Sequence, residues 1–242
     1  MQAPDPSAAV AAAVVLAGGS GTRVGADRNK VYLPVGGRPV LAWSLDTFAG
    51  MPGIGPVVLV VRDADRALAA ELLRGDGGGD AEIVTGGGTR QESELAALRH
   101  LAPRIADGTV DVVLLHDGAR PLAGRALAAE VLRVARADGG AVPGLVRDDL
   151  APAGPDATLA GAAPAGLVAV QTPQGFRAKP LLAAYEEAAR AGFAGTDTAS
   201  CMERFGPGVT VRRVPGHARN IKITYAHDLV AVEHALRAVR TG

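Results

Sequence analysis

Along most of this chain, short unbroken apolar runs alternate with stretches of helical period. The runs at 11–16, 56–61, 82–84, 110–116 and 141–146 are rich in β-branched residues, as strands buried on both faces should be. Between them, 40–48, 64–74, 90–101 and 126–137 carry the spacing of amphipathic helices. Pro39 suits a first helical turn, and Thr89 with Glu92 reads as a capping box. This alternation predicts an α/β fold with a mostly parallel, doubly wound sheet. The rhythm breaks at 147–166, a segment of Pro, Gly and Ala without helical period. Such an excursion predicts a lid, an arm or a partner-contacting loop. Order returns with a strand at 167–171, helices near 179–191 and 197–205, a strand at 209–214 and a last helix at 226–240. No internal repeat or linker divides the 242 residues, so one domain over 1–242 is expected.

Composition adds three constraints. The 25 bases cancel the 25 acids, so no global field calls for nucleic acid or a membrane. The single cysteine, Cys201, permits no internal disulfide or cysteine-cluster metal site, which fits a reduced, cytoplasmic setting. The apolar stretch 8–17 has no basic segment before it and runs straight into glycines, so it reads as a strand, not a signal peptide or membrane span. Finally, only three lysines stand among 22 arginines, and only two asparagines occur. Each asparagine lies close to a lysine, in Asn29-Lys30 and in Asn220-Ile221-Lys222.

The first strand leads into Leu16-Ala17-Gly18-Gly19-Ser20-Gly21-Thr22-Arg23. Glycines let backbone N–H groups approach phosphate oxygens closely. The Walker pattern fails because no Gly-Lys-Ser/Thr follows, and the dinucleotide pattern fails because Val24 stands where its third glycine belongs. The Gly-Gly-x-Gly-x-Arg form instead suggests an extended loop that wraps a nucleoside triphosphate, with Arg23 and Lys30 reaching the phosphates; the plainer alternative is a glycine-rich strand-to-helix turn with two solvated cations.

Leu-Ala-Gly-Gly-x-Gly-Thr-Arg, then Lys30, then Leu33-Pro34-Val35-Gly36-Gly37-Arg38-Pro39-Val40 resembles the nucleotidyltransferases that activate sugar phosphates. The short spacing from Arg23 to Lys30 resembles the 2-C-methyl-D-erythritol 4-phosphate cytidylyltransferase family of isoprenoid biosynthesis. Later segments carry the same resemblance: Gly86-Gly87-Gly88-Thr89-Arg90-Gln91-Glu92-Ser93, His116-Asp117-Gly118-Ala119-Arg120-Pro121, Gln171-Thr172-Pro173-Gln174-Gly175-Phe176, Thr196-Asp197 and Asn220-Ile221-Lys222-Ile223-Thr224.

The resemblance implies a Rossmann-like nucleotidyltransferase fold with 147–166 as a protruding β-arm, and a homodimer. It implies transfer of a cytidylyl group from CTP to an alcohol phosphate, releasing pyrophosphate. The nucleophile is already anionic, so the reaction needs cations that offset charge and hold the groups in line more than it needs a base. Arg23 and Lys30 match the family's cation pair at the reacting phosphorus. Leu16, Ala17, Gly18, Gly19, Gly21, Gly87 and Ser93 match positions around CTP. Thr196 and Lys222 match positions near the acceptor phosphate, with Lys222 expected on a strand between two isoleucines. Asp117 matches the family's carboxylate for Mg2+, although an Asp capping the next helix is the plainer alternative. Arg120 reads equally as a phosphate or backbone ligand and as a buried brace of the turn. Ser93 has a competing reading as helix surface, Glu92 is explained by the cap, and His116 reads as structural.

Four positions depart from the family pattern. Asn29 stands where proline usually precedes the lysine. Gly88 replaces a common acidic residue. The arm reads Asp148-Asp149-Leu150-Ala151 instead of Asp-Thr-x-Lys, and 162–165 lacks the arginine of its return. The nucleotide half of the pattern is kept and the acceptor half is thinned. That leaves room for the same acceptor with altered contacts, for another polyol phosphate or phosphonate, and for a non-catalytic nucleotide-binding protein.

Overall fold

In the computed structural model, residues 9–19, 29–75, 78–159, 161, 164–195 and 197–240 are described. Arg23, Gly21 and Thr196, each expected at the site, lie outside them.

The strands are Val10–Leu16 (β1), Pro34–Val35 (β2), Arg38–Pro39 (β3), Ile54–Val61 (β4), Glu82–Thr85 (β5), Val110–Asp117 (β6), Gly139–Val146 (β7), Val168–Val170 (β8), Gln174–Arg177 (β9) and Thr210–Pro215 (β10). The α-helices are Val40–Asp46 (α1), Arg66–Gly75 (α2), Arg90–Ala106 (α3), Gly124–Asp138 (α4), Ala178–Arg190 (α5), Thr198–Phe205 (α6) and Ala226–Arg240 (α7). The main sheet runs β10-β7-β9-β6-β1-β4-β5, with β8 paired to β7. Its central pairs are parallel, as expected, and β9 runs antiparallel to both β6 and β7. β9 and the small β2–β3 hairpin have no counterpart in the expectation from sequence.

β1 explains why its run is continuously apolar. Ala11, Ala13 and Val15 face one layer, packed with Leu41, Leu45, Ala69, Leu72, Val131 and Leu132 of α1, α2 and α4. Ala12 and Val14 face the other, packed with Leu95, Leu98, Leu101, Leu181 and Tyr185 of α3 and α5. Successive side chains point to opposite faces, and here both faces are covered. A third cluster packs α7 through Val232 and Leu236 against Val35, Val40 and Ile223.

Two details differ from expectation. Pro39 precedes α1 at its N-cap instead of lying inside it. The segment carrying Lys222 is irregular, not a strand, because the Ile223 N–H bonds the Ala119 carbonyl at 2.9 Å, outside any ladder. No helix among the described residues is long and apolar enough to cross a membrane.

Candidate functional site

The carboxyl ends of β1, β4, β5 and β6 meet at one edge of the sheet, where open α/β sheets bind ligands. Leu16 at the end of β1 is in register with Asp117 at the end of β6. The Gly118 N–H then bonds the Leu16 carbonyl at 2.9 Å. A Cβ on Gly118 would stand 2.9 Å from that oxygen, so only glycine permits this approach. The Gly86 N–H likewise bonds the Val61 carbonyl, which brings the 86–88 loop to the same edge.

Above this edge lies an open cavity of about 540 Å³. Its lining includes Leu16, Gly18, Gly19, Lys30, Gly87, Ser93, Asp117 and Lys222. Residues 16, 18, 19 and 30, 87 and 93, 117 and 222, far apart in sequence, therefore meet around one cavity. Ala17 is buried behind the wall, its N–H on the Val60 carbonyl. Ser93 is 6% exposed, and its hydroxyl donates to the Thr89 carbonyl at 2.9 Å. It faces the cavity, unlike a helix-surface serine. Thr89 and Glu92 form the expected reciprocal cap on α3.

Asp117 carries the strongest electrostatics. It does not cap a helix, since α4 starts only at Gly124. Lys222 Nζ lies 2.9 Å from its Oδ2, Arg120 Nε lies 3.3 Å from the same oxygen, and Arg90 Nη1 bonds Oδ1. Burial pushes the Asp117 carboxyl up, but Arg90, Lys222 and Arg120 outweigh it and hold the group well below the usual carboxylate range. Of the two readings of Arg120, the contacts are those of a brace: its Nη1 also bonds the Asn220 carbonyl at 2.7 Å.

His116 is fully buried. Its Nε2 lies 3.1 Å from the Arg120 carbonyl, which can only accept, so the proton sits on Nε2. Nδ1 then accepts from the Thr172 hydroxyl at 3.0 Å, and that hydroxyl accepts from the Asp117 N–H at 3.0 Å. Burial pushes the imidazole down to about 4, which agrees with a neutral, structural ring.

Each of the two asparagines is 1% exposed and ties its lysine-bearing segment to the sheet. Asn29 Nδ2 donates to the Ala17 carbonyl at 2.7 Å, next to Lys30. Asn220 Nδ2 donates to the Thr172 carbonyl at 2.9 Å, two residues before Lys222. Lys30 itself is 8% exposed.

The motifs assign no role to Arg90 or Glu94. Arg90 bridges two carboxylates, with Nε on Glu94 Oε1 at 3.0 Å and Nη1 on Asp117. Glu94 is 1% exposed and also accepts from Tyr185 Oη and from Thr198 Oγ1. Arg and Glu at i and i+4 ordinarily mark a solvated helix face. The signal that could have found them is the apolar residue due at position 94, between Gln91 and Leu98, which an acid occupies instead.

The arm contrasts with the cavity. Val146, Leu150, Leu159 and Val170 are all exposed along 146–170. Arg147, the single cation of 147–166, is paired with Asp149 at 2.5 and 2.8 Å.

Residues 11–238 match the family described as IspD: 2-C-methyl-D-erythritol 4-phosphate cytidylyltransferase. The chain is 40% identical over 231 residues to the enzyme of that name from Prochlorococcus marinus, covering 93% of this chain and 98% of that one. It is 37% identical over 238 residues to a bifunctional enzyme IspD/IspF from Chelativorans, covering 95% of this chain; the chain spans only 56% of that relative's length. The crystal structure of the 4-diphosphocytidyl-2C-methyl-D-erythritol synthase from Anaerococcus prevotii superposes with a TM-score of 0.81 at 30% identity, covering 95% of this chain and 96% of that one.

Proposed function

The chain belongs to the 2-C-methyl-D-erythritol 4-phosphate cytidylyltransferase family, and we propose that it transfers the cytidylyl group of CTP to 2-C-methyl-D-erythritol 4-phosphate. An oxygen of the acceptor phosphate attacks the α-phosphorus of CTP. The bond from that phosphorus to the bridging oxygen breaks, and pyrophosphate leaves. The observation that carries the reading is the single cavity joining Gly18, Gly19, Lys30, Gly87, Ser93, Asp117 and Lys222.

In this reading the glycine turn after β1 offers backbone N–H groups to the triphosphate, with Leu16, Ala17, Gly18, Gly19 and Gly21 shaping it. Gly87 and Ser93 border the base. Lys30, with Arg23, stabilises the charge that develops at phosphorus. Lys222, with Thr196, receives the acceptor phosphate. Arg120 acts from behind, holding Asp117 and the Asn220 carbonyl that precedes Lys222.

Asp117 offers Mg2+ one ionised carboxylate at the cavity, and would hold the ion by sharing an oxygen now bonded by Lys222, Arg120 or Arg90, with water and phosphate oxygens completing the shell. When bound there, the ion supplies charge neutralisation and alignment for the triphosphate. Among the described residues no cluster of three or more His, Cys, Asp or Glu provides an all-protein site.

The exposed apolar residues of the 147–166 arm support a homodimer through that arm, within a chain that forms one cytidylyltransferase domain in the cytoplasm. A monomer by light scattering at micromolar concentration would refute the dimer. A second reading, transfer to another polyol phosphate or phosphonate, is favoured by the arm's lack of any cation besides the Asp149-paired Arg147. Incubation with CTP, magnesium and 2-C-methyl-D-erythritol 4-phosphate tests the leading reading. Pyrophosphate release that depends on the acceptor is expected; no release at high enzyme concentration would sink it.

A further inference from the structure

We infer that Asn29, Asp65 and Arg62 form a side-chain clamp that positions Lys30, with Asn29 and Asp65 as positioning residues for the transfer step. The inference rests on the reading of Lys30 as a cation at the reacting phosphorus.

Every polar atom of the Asn29 amide is used. Nδ2 donates to the Ala17 carbonyl at 2.7 Å and to Asp65 Oδ2 at 3.2 Å, and Oδ1 accepts from the Val31 N–H at 3.4 Å. The orientation is unambiguous, because a flipped amide would set its oxygen against a carbonyl and a carboxylate. Asp65 is 8% exposed and is held in turn by Arg62, Nε on Oδ2 at 2.8 Å and Nη2 on Oδ1 at 2.9 Å. Ala17 follows β1 and is itself fixed to β4 through Val60. Arg62 and Asp65 follow the end of β4. The single amide of Asn29 therefore ties the start of the Lys30–Tyr32 turn to the ends of two adjacent central strands. Lys30 is the next residue, so its Cα inherits that anchoring.

The backbone points to what the clamp replaces. Asn29 has φ −58° and ψ 127°, values that a proline ring would hold without strain. A proline would limit this turn through its ring; Asn29 reaches the same conformation and limits it through side-chain bonds. The asparagine at this departure from the family pattern thus keeps the constraint by other chemistry. A consequence separates positioning from simple stabilisation: the share of Asp65's effect on Lys30 that Asn29 transmits is lost once proline stands at 29, whereas the direct action of Asp65 on the Tyr32 hydroxyl, at the end of the same turn, is kept.

The test is a set of steady-state measurements on Lys30→Ala, Asn29→Ala, Asn29→Pro, Asp65→Ala and the double variant Asn29→Pro/Asp65→Ala. Thermal unfolding of each variant runs alongside. Asn29→Ala is expected to lower kcat about tenfold, as small misplacements of a reacting group do, while KM for CTP moves much less. Asn29→Pro should recover most of that loss. Asp65→Ala should lower kcat clearly in the native background and distinctly less in the Asn29→Pro background. Wild-type kcat in Asn29→Ala, or an equal loss from Asp65→Ala in both backgrounds, would overturn the clamp. Should Asn29→Ala fail to fold, the Asp65→Ala comparison across the two backgrounds decides alone. A fully active Lys30→Ala would instead overturn the underlying role of Lys30, and the clamp with it.

Discussion

The nucleotide side of the cavity and the arm beyond it are built on opposite terms. At the sheet edge, Asn29, Lys30, Ser93 and Asp117 are each no more than 8% exposed, and Asp117 is enclosed by three cations. Along the arm, Leu159 is 73% exposed and Leu150 43%. The arm's one cation is spent on a neighbouring Asp149. A site assembled on strand ends is held in place by the core beneath it. An arm with little core of its own depends on what it meets, which in this account is a second copy of the chain. In the proposed function the nucleotide half therefore works only as tightly as its anchors allow, and the acceptor half leans on Lys222.

The sharpest way to break this comparison is Lys30→Ala. Loss of a preorganised charge at the reacting phosphorus should lower kcat by on the order of a hundredfold to a thousandfold, with thermal unfolding unchanged. A loss of fold instead would make Lys30 structural.

The stiffness of the sheet edge gives a pH signature. The His116 imidazole lies at about 4 in the folded chain against 6.5 as a free group. The unfolded chain therefore binds the extra proton between those values, and stability falls as pH drops through that window. The loss should approach about 3 kcal/mol, read from denaturant midpoints in chelator. His116→Gln should flatten the curve over that range. A curve unchanged by the substitution would refute the buried neutral ring.

Lys222→Ala should raise KM for the acceptor by on the order of tenfold and leave KM for CTP nearly unchanged. Equal rises for both substrates would erase the division between the halves. The smallest effect belongs to the arm. Leu159→Ser should change stability by no more than about 0.5 kcal/mol in dilute protein, and a larger loss would mean that the arm carries core contacts of its own.

Much of the sheet is legible in the chain because its strands are buried on both faces, so their runs stay apolar without interruption. β9 escapes because Gln174-Gly175-Phe176-Arg177 is short and mixed, and its pairing is set by β6 and β7 from outside. Lys222 between two isoleucines resembles a strand, yet only Ile223 is buried, and its N–H goes to Ala119. At the site, motif order locates Lys30, Ser93, Asp117 and Lys222. It does not reveal that Arg90 joins Asp117 to Glu94, because the groups that satisfy Glu94, Tyr185 and Thr198, come from helices about a hundred residues away. Nor does it reveal that Asn29 is bonded to Asp65, since that contact exists only once β1 and β4 are side by side.

The most direct test of the central claim is the acceptor itself. Pyrophosphate release with CTP and magnesium should be measured against 2-C-methyl-D-erythritol 4-phosphate and a panel of other polyol phosphates and phosphonates. The account predicts that the methylerythritol phosphate has the highest kcat/KM of the panel. Turnover of another acceptor with none on methylerythritol phosphate would contradict it.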